Sequence, residues 1–127
     1  MSSANPVGWF EIYVRDMNKA KTFYEKTLGV TLSALPQSGG SLDDMWAFPM
    51  TMGGNGAAGA LARMDGAPVG PGGTIVYFVC EDCGQAAKRA RDAGGKIVKD
   101  KFSIGDYGQI ALVSDPDGNI IGFHSMN

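Results

Sequence analysis

From Val7 to Val14 the chain alternates, with Trp9, Glu11 and Tyr13 on one side and Phe10, Ile12 and Val14 on the other. A period of two predicts a strand. Asp16 follows in the place of an N-cap, and Met17, Ala20, Phe23, Tyr24, Thr27 and Leu28 then recur at helical spacing. Gly29 supplies the left-handed residue that ends such a helix. A new strand is expected near Val30–Leu35, then a polar Gly/Ser loop over residues 36–44. Met45–Met50 predicts a strand that Pro49 confines to an edge or an end. Met52–Gly56 predicts a glycine turn and Ala57–Met64 a further short strand. Asp65–Gly73, with two prolines, four glycines and no periodicity, predicts a linker.

The pattern then restarts. Thr74–Cys80 sets Ile75, Tyr77 and Val79 against Val76, Phe78 and Cys80, Asp82 takes the N-cap place, and Cys83–Ala93 is helical. Gly94-Gly95 stops that helix, Lys96–Val98 begins another strand, and Tyr107–Ser114 is a further one. Asp115-Pro-Asp-Gly118 predicts a tight turn, because Pro116 pre-sets φ and Gly118 supplies the left-handed position. Asn119–His124 closes the series with Ile120, Gly122 and His124 on one face. A shift of 66 residues carries Trp9 onto Ile75, Glu11 onto Tyr77, Asp16 onto Asp82, Ala20 onto Ala86 and Gly29 onto Gly95. Each half reads βαβββ. The predicted fold is α+β, with two βαβββ modules whose curved mixed sheets form a shared cavity. One helix cannot cover both faces of a four-stranded sheet, and the two uncovered faces, turned inward, make a small-molecule site.

The 127 residues fit one domain over 1–127, with module one about 6–64, a linker about 65–73 and module two about 74–126. An apolar fraction of 44% and a charged fraction of 19% are those of a globular protein rather than a disordered chain. A net charge of −2 with no basic stripe argues against nucleic acid as partner. Thr74–Cys80, the longest uncharged apolar stretch, is far short of the roughly 20 residues a membrane helix needs. Met1–Gly8 has neither a basic start nor an apolar core, so no secretory signal is expected. Two cysteines make no disulfide framework, and cytoplasmic localisation is the expectation.

The segments Phe10-Glu-Ile-Tyr-Val-Arg-Asp16, Phe23-Tyr24 with Leu28-Gly29, Val79-Cys-Glu-Asp82, Ala93-Gly-Gly95 and Asp115-Pro-Asp-Gly-Asn119, in this order and spacing, resemble the vicinal oxygen chelate superfamily. That superfamily includes glyoxalase I, bleomycin-resistance proteins and extradiol dioxygenases, and the likeness covers roughly residues 6–126. By resemblance, metal enzymes of the family take His or Glu ligands from four inward positions, which fall here on Trp9, Gly59, Ile75 and Gly122. None of these can ligate a metal through its side chain, which counts against glyoxalase I and dioxygenase chemistry. No metal and no cofactor are therefore expected. The resemblance also implies a homodimer.

One inward step beyond those positions lie Glu11, Leu61, Tyr77 and His124. The expected catalytic set is Glu11, Tyr77 and His124, and the expected ligand wall is Trp9, Tyr13, Trp46, Phe48, Ile75 and Gly122. An inward carboxylate on an otherwise apolar strand is costly unless used or paired, and it suits a general base. Tyr77 or His124 would be the hydrogen-bonding acid. The expected function is a glyoxalase-like small-molecule protein without the usual metal ligands, acting if an enzyme as a lyase or isomerase on a small carbonyl compound. The alternatives are a bleomycin-resistance-like protein that sequesters a drug or metabolite, and a metal enzyme using Glu11 and His124 as displaced ligands. Cys80-Glu-Asp-Cys83 is a CxxC at a strand-to-helix junction. Cys80 belongs to the strand face that packs under the helix, and no second CxxC or nearby His completes a zinc site. Neither glycine cluster forms a phosphate loop.

Overall fold

The computed structural model describes residues 5–35 and 44–127. Its elements are β1 (Val7–Tyr13), α1 (Met17–Leu28), β2 (Ser33–Ala34), β3 (Asp44–Ala47), β4 (Ala58–Arg63), β5 (Thr74–Val79), α2 (Cys83–Asp92), β6 (Lys96–Ser103), β7 (Gln109–Ser114) and β8 (Ile120–Ser125). The chain divides into two compact units. One is Trp9–Thr74, and the other is Ile75–Asn127 with the stretch ending at Gly8.

In the unit of Trp9–Thr74 the strands run in the order β2-β3-β4-β1, with β1 and β4 parallel and the other neighbours antiparallel. The carboxylate of Asp16 accepts from the Lys19 amide and opens α1, while Gly29 closes it at φ 68°. Beneath α1, Met17, Leu32 and Leu61 form a buried cluster, joined by Ile12, Val14, Tyr24, Trp46 and Phe48. The register shows how the side chains divide. Ile12 lies beside Leu61 and Leu61 beside Trp46 on the helix side. Glu11 lies beside Ala60 and Ala60 beside Ala47 on the other side.

In the second unit the order is β5-β8-β7-β6, with β5 and β8 parallel. Asp82 caps α2 by accepting from the Gly84 and Gln85 amides. Under that helix Cys83, Ala87, Ala111 and Val113 form the buried core, with Cys80, Ala90, Ile97, Ile121 and Phe123 packed on it. The Asp115–Asn119 turn is held by Asp115 Oδ1, which accepts from the amides of Asp117 and Asn119, and Gly118 adopts φ 88°. Among the described residues no helix is long and apolar enough to cross a membrane.

Several element boundaries differ from the sequence expectation. The strand expected over Val30–Leu35 is only Ser33–Ala34, because Leu32 turns into the core and its amide donates to Glu25 Oε2 instead of joining a ladder. Of the loop expected over 36–44, only Asp44 lies among the described residues, and it begins β3. β3 ends at Ala47, since Pro49 has no amide to continue the pairing. The strand expected from Tyr107 starts at Gln109. A short 3-10 turn occupies Gly105–Tyr107, and Gly108, at φ 104°, separates it from β7.

Candidate functional site

Glu11 is 8% exposed, and both of its carboxylate oxygens are engaged. Tyr13 donates its hydroxyl to Oε1 at 2.7 Å, and Trp9 donates its indole N–H to Oε2 at 3.1 Å. Strand alternation explains the grouping, since residues 9, 11 and 13 rise from one face of β1 two positions apart. The neighbours on β4 in register with them are Ala58, Ala60 and Ala62. Ala60 and Ala62 are wholly buried. The result is one carboxylate set among small apolar side chains and held by an indole and a phenol. Tyr13 also borders an open groove of about 1040 Å3 at the end of β1, lined among others by Arg15, Lys19 and Arg63.

Trp46 and Phe48, expected on the ligand wall, stand instead on the helix side, packed against the Met17–Leu32–Leu61 cluster. The Lys21 ammonium sits over the Trp46 ring, 3.2 Å from its centroid, and Phe48 packs edge-on against Tyr24. Gly59 and Leu61 also belong to the helix side. Gly59 pairs with Phe10, whose ring lies where a Cβ would be, 2.3 Å away. The residue of β4 beside Trp9 is Ala58, not Gly59.

Ile75, Tyr77, Gly122 and His124 belong to the second unit. Tyr77 is 3% exposed and pairs with Gly122, and its ring covers that glycine so closely that a Cβ would meet Cδ2 at 2.3 Å. Two β8 residues on, His124 pairs with Val79 and Ile110. Its Nε2 is hydrogen-bonded to the Tyr107 carbonyl. A carbonyl can only accept, so that nitrogen carries the proton. Among the described residues no group of three or more His, Cys, Asp or Glu side chains is placed to hold a metal ion. The Tyr107 partner is a backbone carbonyl, and no local signal in the sequence announces the contact.

Residues 7–123 match the family model described as Glyoxalase/Bleomycin resistance protein/Dioxygenase superfamily. Two curated proteins, both named "Putative glyoxylase CFP32", from Mycobacterium bovis and Mycobacterium tuberculosis, are 28% identical over 121 residues, covering 94% of this chain and 45% of each relative. The chain thus spans about half the length of these relatives. Among solved structures, methylmalonyl-CoA epimerase from Mycobacterium tuberculosis is similar with a TM-score of 0.68 at 16% identity, covering 96% of this chain and 88% of that one. Streptomyces coelicolor methylmalonyl-CoA epimerase, in complex with 2-nitronate-propionyl-CoA, is similar with a TM-score of 0.67 at 19% identity, covering 97% of this chain and 98% of that one. With two helices, eight strands of mixed pairing and a family match over nearly its whole length, the chain belongs to the glyoxalase/bleomycin resistance protein/dioxygenase superfamily.

Proposed function

We propose that this protein binds a small carbonyl compound and that Glu11 removes a proton from the carbon next to the carbonyl, in a lyase or isomerase reaction that uses no metal. The observation that carries the reading is Glu11 itself, a buried carboxylate on an alanine-lined strand face. The donors on its two oxygens fix the orientation of the carboxylate, which is what a base needs to meet one C–H bond. The residues at the family's metal positions do not fit a metal. Trp9 and Ile75 have no ligating side-chain atom, and Gly122 lies under the Tyr77 ring. The position on β4 faces the helix at Gly59, and Ala58 takes its place beside Trp9. His124 Nε2 is committed to a carbonyl, which argues against its service as a displaced ligand. Proton abstraction next to an acyl group also agrees with the epimerases that share the fold.

The test is hydrogen exchange with solvent. The protein is incubated in D2O with methylmalonyl-CoA and with a panel of small α-hydroxy ketones, and deuterium at the α-carbon is followed by NMR. Exchange that drops at least 100-fold in Glu11→Gln, with the variant's melting temperature kept close to the parent's, supports the reading. Exchange unchanged by that substitution refutes it. Saturable binding without any exchange transfers the protein to the drug- or metabolite-sequestering class.

A further inference from the structure

We infer that Cys80 and Cys83 are a reversible redox pair, closing an intrachain disulfide at the junction of β5 and α2. Both residues are fixed against consecutive residues of β8. The Cys80 amide donates to the His124 carbonyl at 3.0 Å, and the Cys83 amide donates to Ser125 Oγ at 3.0 Å. Their side chains enter one packed cluster under α2, where Cys83 is wholly buried and Cys80 partly so. The internal repeat makes the same point. A shift of 66 residues carries Val14 onto Cys80 and Met17 onto Cys83, and in the unit of Trp9–Thr74 Val14 and Met17 pack in one cluster. The fold therefore places these two positions in one cluster in each module, and in this module both are thiols.

Exposure sets the order of events. Cys80, the less buried of the two, attacks one sulfur of oxidised glutathione as its thiolate and releases one glutathione thiolate. Cys83 then attacks the Cys80 sulfur of the mixed disulfide and releases the second. Two cysteine thiols are oxidised, one glutathione disulfide is reduced to two thiols, and the two cysteine protons pass to solvent and the leaving thiolates. Burial first, and then the neighbouring Cys83, raise the Cys80 thiol above its ordinary value. Closure is accordingly slow at neutral pH and accelerates as the pH rises.

The experiment uses the reduced full chain under native conditions with oxidised glutathione. After an acid quench, free thiols are alkylated in denaturant and the chain is analysed by intact mass and peptide mapping. The expected result is a monomer that has lost two hydrogens and both alkylation sites, with Cys80 and Cys83 in one linked peptide, reversed by dithiothreitol. Cys83→Ser should stop at a glutathione adduct on Cys80. A wild-type chain that accumulates that adduct without closing, forms crosslinked dimers, or keeps both thiols alkylatable overturns the inference. The wild-type result decides the matter even where Cys83→Ser does not fold.

Discussion

Replacing Gly122 by Ala tests the closest packing in the second unit. A Cβ at that position would stand 2.3 Å from Tyr77 Cδ2 and 2.4 Å from Cε2. Ordinary contact begins near 3.4 Å, so the ring must retreat by about 1.1 Å. Tyr77 is 3% exposed, and that movement displaces its neighbours in turn. Overpacking of this kind costs about 1–3 kcal/mol. Alanine is the better strand residue by about 0.5–1 kcal/mol, which offsets part of the loss. The net expectation is a destabilisation of about 0–2.5 kcal/mol. In a Tyr77→Ala background, itself about 3–5 kcal/mol less stable, the obstacle is gone and Gly122→Ala becomes neutral or stabilising. The coupling energy of the double-mutant cycle is then the overpacking term alone, about 1–3 kcal/mol. Urea unfolding followed by circular dichroism measures all four chains. Equal effects of Gly122→Ala in the two backgrounds would refute the account of this glycine as the seat of the tyrosine ring.

Leu61→Ala should cost about 2–5 kcal/mol in the same assay, because Leu61 is wholly buried with Met17 and Leu32 under α1. Tyr13→Phe removes the 2.7 Å hydrogen bond to Glu11 and should cost about 1–3 kcal/mol, read by urea unfolding, while the far-ultraviolet spectrum stays unchanged. The Asp82 carboxyl is held below its ordinary value by its hydrogen bond from Lys101 and by the amides of α2. Its contribution is therefore present above the unfolded carboxylate range and lost as the pH falls through the lower folded value. An acid titration of Asp82→Asn should show a shallower fall in stability over that window than the parent. The Cys80 thiol should react with iodoacetamide more slowly than the same thiol in the unfolded chain at neutral pH, and the gap should narrow as the pH rises.

The helices were legible because their ends carry local chemistry. Asp16, Gly29 and Asp82 satisfy orphan backbone groups, and the Asp115–Asn119 turn is fixed by its own side chains. Glu11 was legible because β1 alternates so regularly that its faces can be counted. β4 offered no such contrast. Ala58-Gly-Ala-Leu-Ala-Arg63 is small and apolar throughout, and its parity is set by its pairing with β1, which no local signal encodes. Gly59 and Leu61, expected to face inward, therefore lie on the helix side. The same is true of Trp46 and Phe48, since a large aromatic residue suits a ligand wall and a helix-covered core equally well. The tie between His124 and Tyr107 spans 17 residues and uses a backbone carbonyl, a partner every residue possesses.

Each within its own unit, β2 and β6 stand at one end of the strand order, and they bear on how long the protein survives at high concentration. β2 is two residues long. β6 is eight residues long, but its pairing with β7 slips twice, between Ile97 and Lys99 and again between Lys99 and Phe102, and it carries Lys96, Lys99, Asp100 and Lys101. A growing fibril recruits chains along a straight, regular, uncharged strand border. One of these borders is too short to template another chain, and the other is too irregular and too charged. Conversion to ordered aggregates through either of these strands would therefore have to begin from partly unfolded chains, and its rate would follow conformational stability rather than surface chemistry.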